Sequence, residues 1–178
     1  MRDATRVGTG WGGVVMSVLA LAAAPAGAQE IPPPAVVLMA GAFQYDLSGT
    51  GTVPFVGLRL DLPMSDYVYA EPSFGYAKYT SQGGDTVPHL TTEVQVQGSM
   101  PFGRFRPYLG AGAGGFFDLR KQRGGTELVR PTFSGAAGVR VDLRRWGLGT
   151  RAELRVRGVG KSFSGTVSEW GLGVSRTF

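Results

Sequence analysis

The sequence predicts an all-β fold, an eight-stranded antiparallel up-and-down transmembrane β-barrel. Three observations carry that reading. After Pro34 the chain divides into eight segments of strand length, and in the clearest of them polar and apolar residues alternate with period two. No helical periodicity persists beyond Pro34, and no later apolar run is long enough for a membrane helix. Tight turns alternate with longer polar links between the segments, as in barrels whose short turns face one compartment and whose loops face the other.

Composition narrows the class further. A chain of 178 residues suits one domain. It has no cysteine, which excludes a disulfide framework, a thiolate metal site and a lipid-modified cysteine. Charged residues make up 17%, below the roughly 25% of soluble domains. Mean hydropathy is +0.02, far too low for a bundle of membrane helices and close to what a cylinder apolar outside and polar inside averages to. The formal charge of +5 raises nucleic acid as a partner. The arginines speak against it, because they fall on strand faces that turn inward rather than on an exposed patch.

Residues 1–28 read as a secretory signal. Arg2 and Arg6 form its positive start, Val14 to Ala24 its short apolar core, and Ala26-Gly27-Ala28 a small-residue cleavage site that places the cut between Ala28 and Gln29. Residues 29–35 are a lead-in stiffened by Pro32, Pro33 and Pro34, and 36–178 form the barrel. The candidate strands are 36–47, 53–62, 67–80, 89–100, 105–118, 130–143, 148–158 and 166–178. Most reach the roughly 9–11 residues of a tilted membrane strand.

The first strand is almost wholly apolar, and Val36, Leu38, Ala40 and Ala42 are assigned to its inner face. In the fourth, Leu90, Val94, Val96 and Met100 oppose His89, Thr91, Glu93, Gln95, Gln97 and Ser99. In the sixth, Phe133, Ala137, Val139, Val141 and Leu143 oppose Thr132, Ser134, Arg140 and Asp142. The seventh sets Leu148, Ala152, Leu154 and Val156 against Arg151, Glu153, Arg155 and Arg157. The eighth sets Trp170, Leu172, Val174 and Phe178 against Glu169, Gly171, Gly173, Ser175 and Thr177. Tight turns fall at 63–66, 101–104 and 144–147, and longer links at 81–88, 119–129 and 159–165. The first link, 48–52, is short. Aromatic residues near strand ends read as interfacial girdles: Phe43, Tyr45, Tyr67, Tyr69, Tyr76, Tyr79, Phe102, Phe105, Phe116, Phe117, Trp146, Trp170 and Phe178.

The stretches YVYAEPSFGYAKY at 67–79, RPYLGAGAGG at 106–115 and WGLGVSRTF at 170–178 resemble small OmpA-like or OmpX-like outer-membrane barrels. The resemblance covers about residues 35–178 and implies residence in the bacterial outer membrane, among its lipid and lipopolysaccharide. The ending, with Trp170, Leu172, Val174 and terminal Phe178, is similar to the signal by which the outer-membrane assembly machinery recognises its substrates. Arg176 departs from the pattern, since it falls on the lipid face. Its long side chain there snorkels to the nearby interface.

Candidate chemistry is sparse. Gly110, Gly112 and Gly115 match a dinucleotide-binding spacing, but that motif needs a strand-to-helix turn and here lies inside a strand. His89 is the only histidine. A lipid A deacylase would need it beside a serine and an orienting carboxylate, whereas Ser99 and Glu93 are spread along its strand. No cofactor, metal or catalytic group is assigned. The inner faces carry Arg59, Arg106, Arg140, Arg151, Arg155 and Arg157 with Asp61, Glu71, Glu93, Asp118, Asp142, Glu153 and Glu169. They are expected to pair into an ionic network that fills the lumen, because about eight strands leave room for side chains only. A narrow gated porin-like channel is the alternative, with a lipid A-modifying enzyme behind it. Arg120, Lys121, Arg123 and Arg130 make 119–129 a basic loop, which with 81–88 offers a surface for lipopolysaccharide or another ligand.

Overall fold

The computed structural model describes residues 31–46, 51–81, 83–119, 129–143, 147–161 and 165–178. The proposed signal and cleavage site, the start of the lead-in, most of the link at 48–52, most of that at 119–129, most of the turn at 144–147 with Trp146, and residues 162–164 of the last link lie outside these residues. Eight strands follow one another: β1 (Ala35–Tyr45), β2 (Val53–Pro63), β3 (Val68–Thr80), β4 (Thr86–Ser99), β5 (Phe105–Asp118), β6 (Val129–Leu143), β7 (Leu148–Val159) and β8 (Gly165–Thr177). Each pairs antiparallel with the next, and β8 returns to β1 from Ala35↔Thr177 to Tyr45↔Val167. The sheet is thus a closed barrel without an edge, the only way strands satisfy their backbone groups in lipid.

The start of β1, the end of β8 and the strand ends joined by the β2–β3, β4–β5 and β6–β7 connections gather at one end, and those joined by the other connections at the other. The β4–β5 turn shows why the turns are short. Phe102 and Phe105 exchange backbone hydrogen bonds of 2.7 and 3.0 Å, leaving two residues in the loop. Gly103 takes the positive φ of 64° that such a turn requires.

Alternation sorts the side chains. Leu38, Val94, Phe133, Leu154, Leu172 and Val174 point outward, while Glu71, Gln95, Gln97 and Arg155 are wholly buried in the bore. Glycines make that filling possible. On β5, a Cβ at Gly110 would lie 2.6 Å from the Gln95 side chain, and one at Gly112 would lie 2.8 Å from the Val94 carbonyl oxygen and 3.0 Å from Glu93. The long polar side chains of β4 occupy the volume that β5 leaves empty.

Several expectations are corrected. On β1 the inward residues are Ala35, Val37, Met39, Phe43 and Tyr45, whereas Val36, Leu38, Ala40 and Ala42 face outward. An almost uniformly apolar strand carries no polarity contrast to set its parity. Its partners and the ring cluster around Phe43 and Tyr45 decide it instead. Phe43, Tyr45, Tyr69, Tyr79 and Phe116 are buried in the bore rather than set in outer girdles. Residues 86–88 extend β4, so the β3–β4 link is the shorter segment 81–85, where Gly84 has φ 83°. Arg130 belongs to β6 and is folded into the mouth of the bore, not displayed on a loop.

Candidate functional site

The bore is built in layers. At the end bearing the termini, Arg106 reaches Asp142 at 3.3 Å, the Tyr69 hydroxyl at 3.3 Å and the Asp66 carbonyl at 3.3 Å. Arg140 lies above, its guanidinium 4.5 Å from the Tyr69 ring centroid and 4.3 Å from that of Tyr108. It donates to Asp61 at 2.9 Å and also to Gln97.

The middle layer is the most charged. Asp61 accepts from Arg151 at 3.1 Å. Glu71 takes Arg151 and, at 2.6 Å, Arg155, with Arg59 at 3.6 Å. Glu153 takes Arg59, Arg151 at 2.6 Å, Arg155 at 2.9 Å and the Tyr108 hydroxyl. Glu93 binds Arg155 at 2.9 Å, Arg157 at 2.8 Å and Ser134 at 2.7 Å. Arg157 closes the layer on Glu169. The eleven residues assigned to the lumen from sequence lie on inward faces, and ten of them join one continuous set of contacts. Arg106 lies at its margin with Asp142.

Such a set persists only when most of its hydrogen-bonding groups are met. Each guanidinium or carboxylate taken out of water incurs a desolvation cost of several kcal/mol, recovered only when its hydrogen-bonding capacity is met by opposite charge. Seven arginines and seven carboxylates take part in ion pairs among the described residues, so the interior is balanced in formal charge. Tyr108, Ser73, Ser134 and the two glutamines add neutral donors and acceptors, and the buried Arg140 Nη1 is left without a partner. Tyr108 was not singled out from the sequence. It lies two residues beyond Arg106 on the same strand face, so counting by twos would have found it.

Above this layer the bore turns aromatic and apolar. Phe43, Val87, Phe116, Val159 and Val167 are packed together. His89 lies 4.5 Å from Phe43 and 4.6 Å from Phe116 by ring centroid, nearly parallel to the latter. Ser99 is at the opposite end of β4, roughly 30 Å away at the rise of a strand, and Glu93 is held by two arginines. The structure therefore does not bring these three together. Gly110, Gly112 and Gly115 lie within β5, with no helix following them. No group of three or more metal-ligating side chains occurs among the described residues.

On the outside, Trp170, Leu172, Val174 and Phe178 form an exposed apolar row. Arg176 is also exposed, opposite Val36 and Leu148 near the terminal end. The barrel is thus apolar outside and charged within, over a model of the outer membrane protein beta-barrel domain that matches residues 14–178. The chain belongs to that family. An outer membrane protein beta-barrel places it in the bacterial outer membrane, with its apolar wall against lipid.

Solved barrels share the fold of this outer membrane protein beta-barrel. The Neisserial surface protein A matches with a TM-score of 0.60 at 14% identity, over 84% of this chain and 100% of that one. The N-terminal barrel domain of Pseudomonas aeruginosa OprF matches at 0.59 and 19% identity, over 81% and 97%. The outer membrane enzyme PagL matches at 0.53 and 14% identity, over 81% and 99%. A surface protein, a domain of a larger protein and an enzyme thus use one architecture, and the fold alone selects no role. Among curated proteins, none matches the sequence.

Proposed function

We propose that this outer-membrane barrel has a structural and surface-contact role, with a bore closed to solutes by its own side chains. The observation that carries the reading is the continuous ionic network from Asp61 to Glu169, overlain by the packed rings of Phe43, His89 and Phe116. Opening a path would mean separating several buried pairs at once, each of which costs about 3–5 kcal/mol to leave uncompensated. The likeness to a barrel described as a surface protein agrees with this reading. Catalysis is not part of it, since the single histidine is enclosed by rings and remote from Ser99.

The rest of the assignment follows the same logic. Residues 1–28 direct export, with cleavage between Ala28 and Gln29. The row Trp170, Leu172, Val174 and Phe178 is the element offered to the assembly machinery. The β3–β4 link, now 81–85, and the β5–β6 connection leave the barrel at the end we assign to lipopolysaccharide or a surface ligand. Planar-bilayer recording of the purified barrel tests the central claim. Silence is the expected result, and discrete reproducible conductance steps would replace it with the gated channel. Amino-terminal sequencing of the membrane-extracted protein should begin at Gln29.

A further inference from the structure

At the loop end of the bore, Tyr45 of β1, Tyr79 of β3 and Phe116 of β5 are all buried. Tyr45 meets Tyr79 edge-on at 5.4 Å and Phe116 at 5.5 Å. Asp118 stands beside them and accepts a hydrogen bond from the Tyr79 hydroxyl at 3.2 Å. Three rings and a carboxylate converge on one volume, which the guanidinium of Arg130 fills. Its centre is 4.7 Å from the Phe116 ring centroid and 5.6 Å from that of Tyr45. Nη1 donates to the Tyr45 hydroxyl at 2.6 Å, and Nη2 donates to Asp118. Ring faces attract a planar, weakly hydrated cation, and the carboxylate fixes its charge and orientation. The chemistry of the enclosure is that of an alkylguanidinium receptor.

The occupant is held less completely than the walls that hold it. The four wall residues are at most 7% exposed, whereas the Arg130 side chain keeps 18% of its surface. Its Nε is buried without a hydrogen-bond partner, a donor whose desolvation nothing offsets. Arg155, deep in the bore, is fully buried and uses all three guanidinium nitrogens. Arg130 is also the second residue of β6, at the end where the links emerge. It is the bore arginine closest to release on that side.

We propose that the loop-end mouth is a recognition box for an alkylguanidinium cation, with Arg130 as a resident occupant that an arginine side chain presented from outside displaces. The inference deepens the surface-contact reading and rests on it for the exposure of this end to the exterior. An external cation competes with an intramolecular one, so its apparent affinity falls by the fraction of molecules whose box is empty. Removing Arg130 lifts that competition.

The test titrates the full barrel in detergent micelles with N-acetyl-arginine amide and reads binding by calorimetry. Arg130→Ala should bind at least tenfold more tightly than the unaltered barrel. Adding Asp118→Asn should undo that gain, and N-acetyl-lysine amide should bind more weakly than the arginine compound. Equal affinity with and without Arg130, indifference to Asp118→Asn, or equal binding of the lysine compound would each overturn the proposal. Folding is checked by the mobility shift of unheated protein in dodecyl sulfate gels. Where Arg130→Ala does not fold, Arg130→Gln supplies the same comparison. Conductance is read separately: a conducting barrel that binds the probe refutes only the closed bore, and a silent barrel that ignores it refutes only the box.

Discussion

Arg155 shows what a single side chain does in this protein. It lies between Glu71, Glu93 and Glu153, at 2.6, 2.9 and 2.9 Å, and its methylenes have no surface left to water. Arg155→Met keeps roughly the same volume but leaves three carboxylates facing one another. The expected cost is about 3–5 kcal/mol, read as a lower urea midpoint for unfolding from lipid vesicles. Arg176→Ala should leave that midpoint nearly unchanged, because Arg176 is exposed at the rim and takes no part in the ion pairs of the bore among the described residues. The inward position of Arg155 was legible in the sequence, since period two fixes the face of a residue flanked by Leu154 and Val156. Its three partners were not, because they come from β3, β4 and its own strand, and strand spacing says nothing about which inward residues meet across a bore. The inward face of His89 was legible in the same way, but Arg130 was not, for another reason. Near a strand end an aromatic or basic residue suits an interface, a loop or the bore equally well.

Strands differ in how much they disclose. β7 alternates arginine and glutamate with leucine and valine, so its two environments are written into it. β1 is apolar on both sides and disclosed neither. Its inner face forms an apolar wall with Phe55 and Val167, so inward-facing does not mean polar throughout this barrel. β5 discloses its role through what it omits. Gly110 and Gly112 lie directly against Gln95 and Glu93. Gly110→Leu should drive Gln95 out of place and cost about 1–3 kcal/mol by overpacking. The outward-facing Leu109→Ala, on the same strand, is the control, with no interior side chain to displace. Comparing the two unfolding midpoints separates interior crowding from lost contact with lipid.

The complete cylinder has two solvents. Leu172 lies on the outer wall with 72% of its surface exposed, opposite Ala40 and Ala152 near mid-strand. Leu172→Arg should cost about 2–4 kcal/mol in a bilayer, although arginines a few ångströms inward are part of the native structure. The same variant in the less structured interior of a micelle should suffer less, which makes the bilayer-to-micelle difference the informative quantity. Topology adds a second check. Even strand number returns the start of β1 and the end of β8 to the side of the tight turns, the periplasmic side in barrels of this kind. An epitope inserted after Gly103 should be hidden from antibody on intact cells and exposed once the outer membrane is permeabilised. One placed between β5 and β6 should be reachable at once. The fold class was legible at this scale because alternation and turn spacing repeat eight times, so an error in one strand, such as β1, leaves the sum intact.

Ring closure also dictates an order of events. Arg59 and Glu153 are 94 residues apart in sequence, and Glu71 and Arg155 are 84 apart. Glu153 has Arg151 and Arg155 beside it on β7, but its contact with Arg59 and that of Arg155 with Glu71 wait until β7 comes round to face β2 and β3 across the bore. A polypeptide arrested one hairpin short would hold naked guanidinium groups and carboxylates against hydrocarbon, a penalty of many kcal/mol. Stopping midway is therefore forbidden, and insertion and sealing must be a single concerted act.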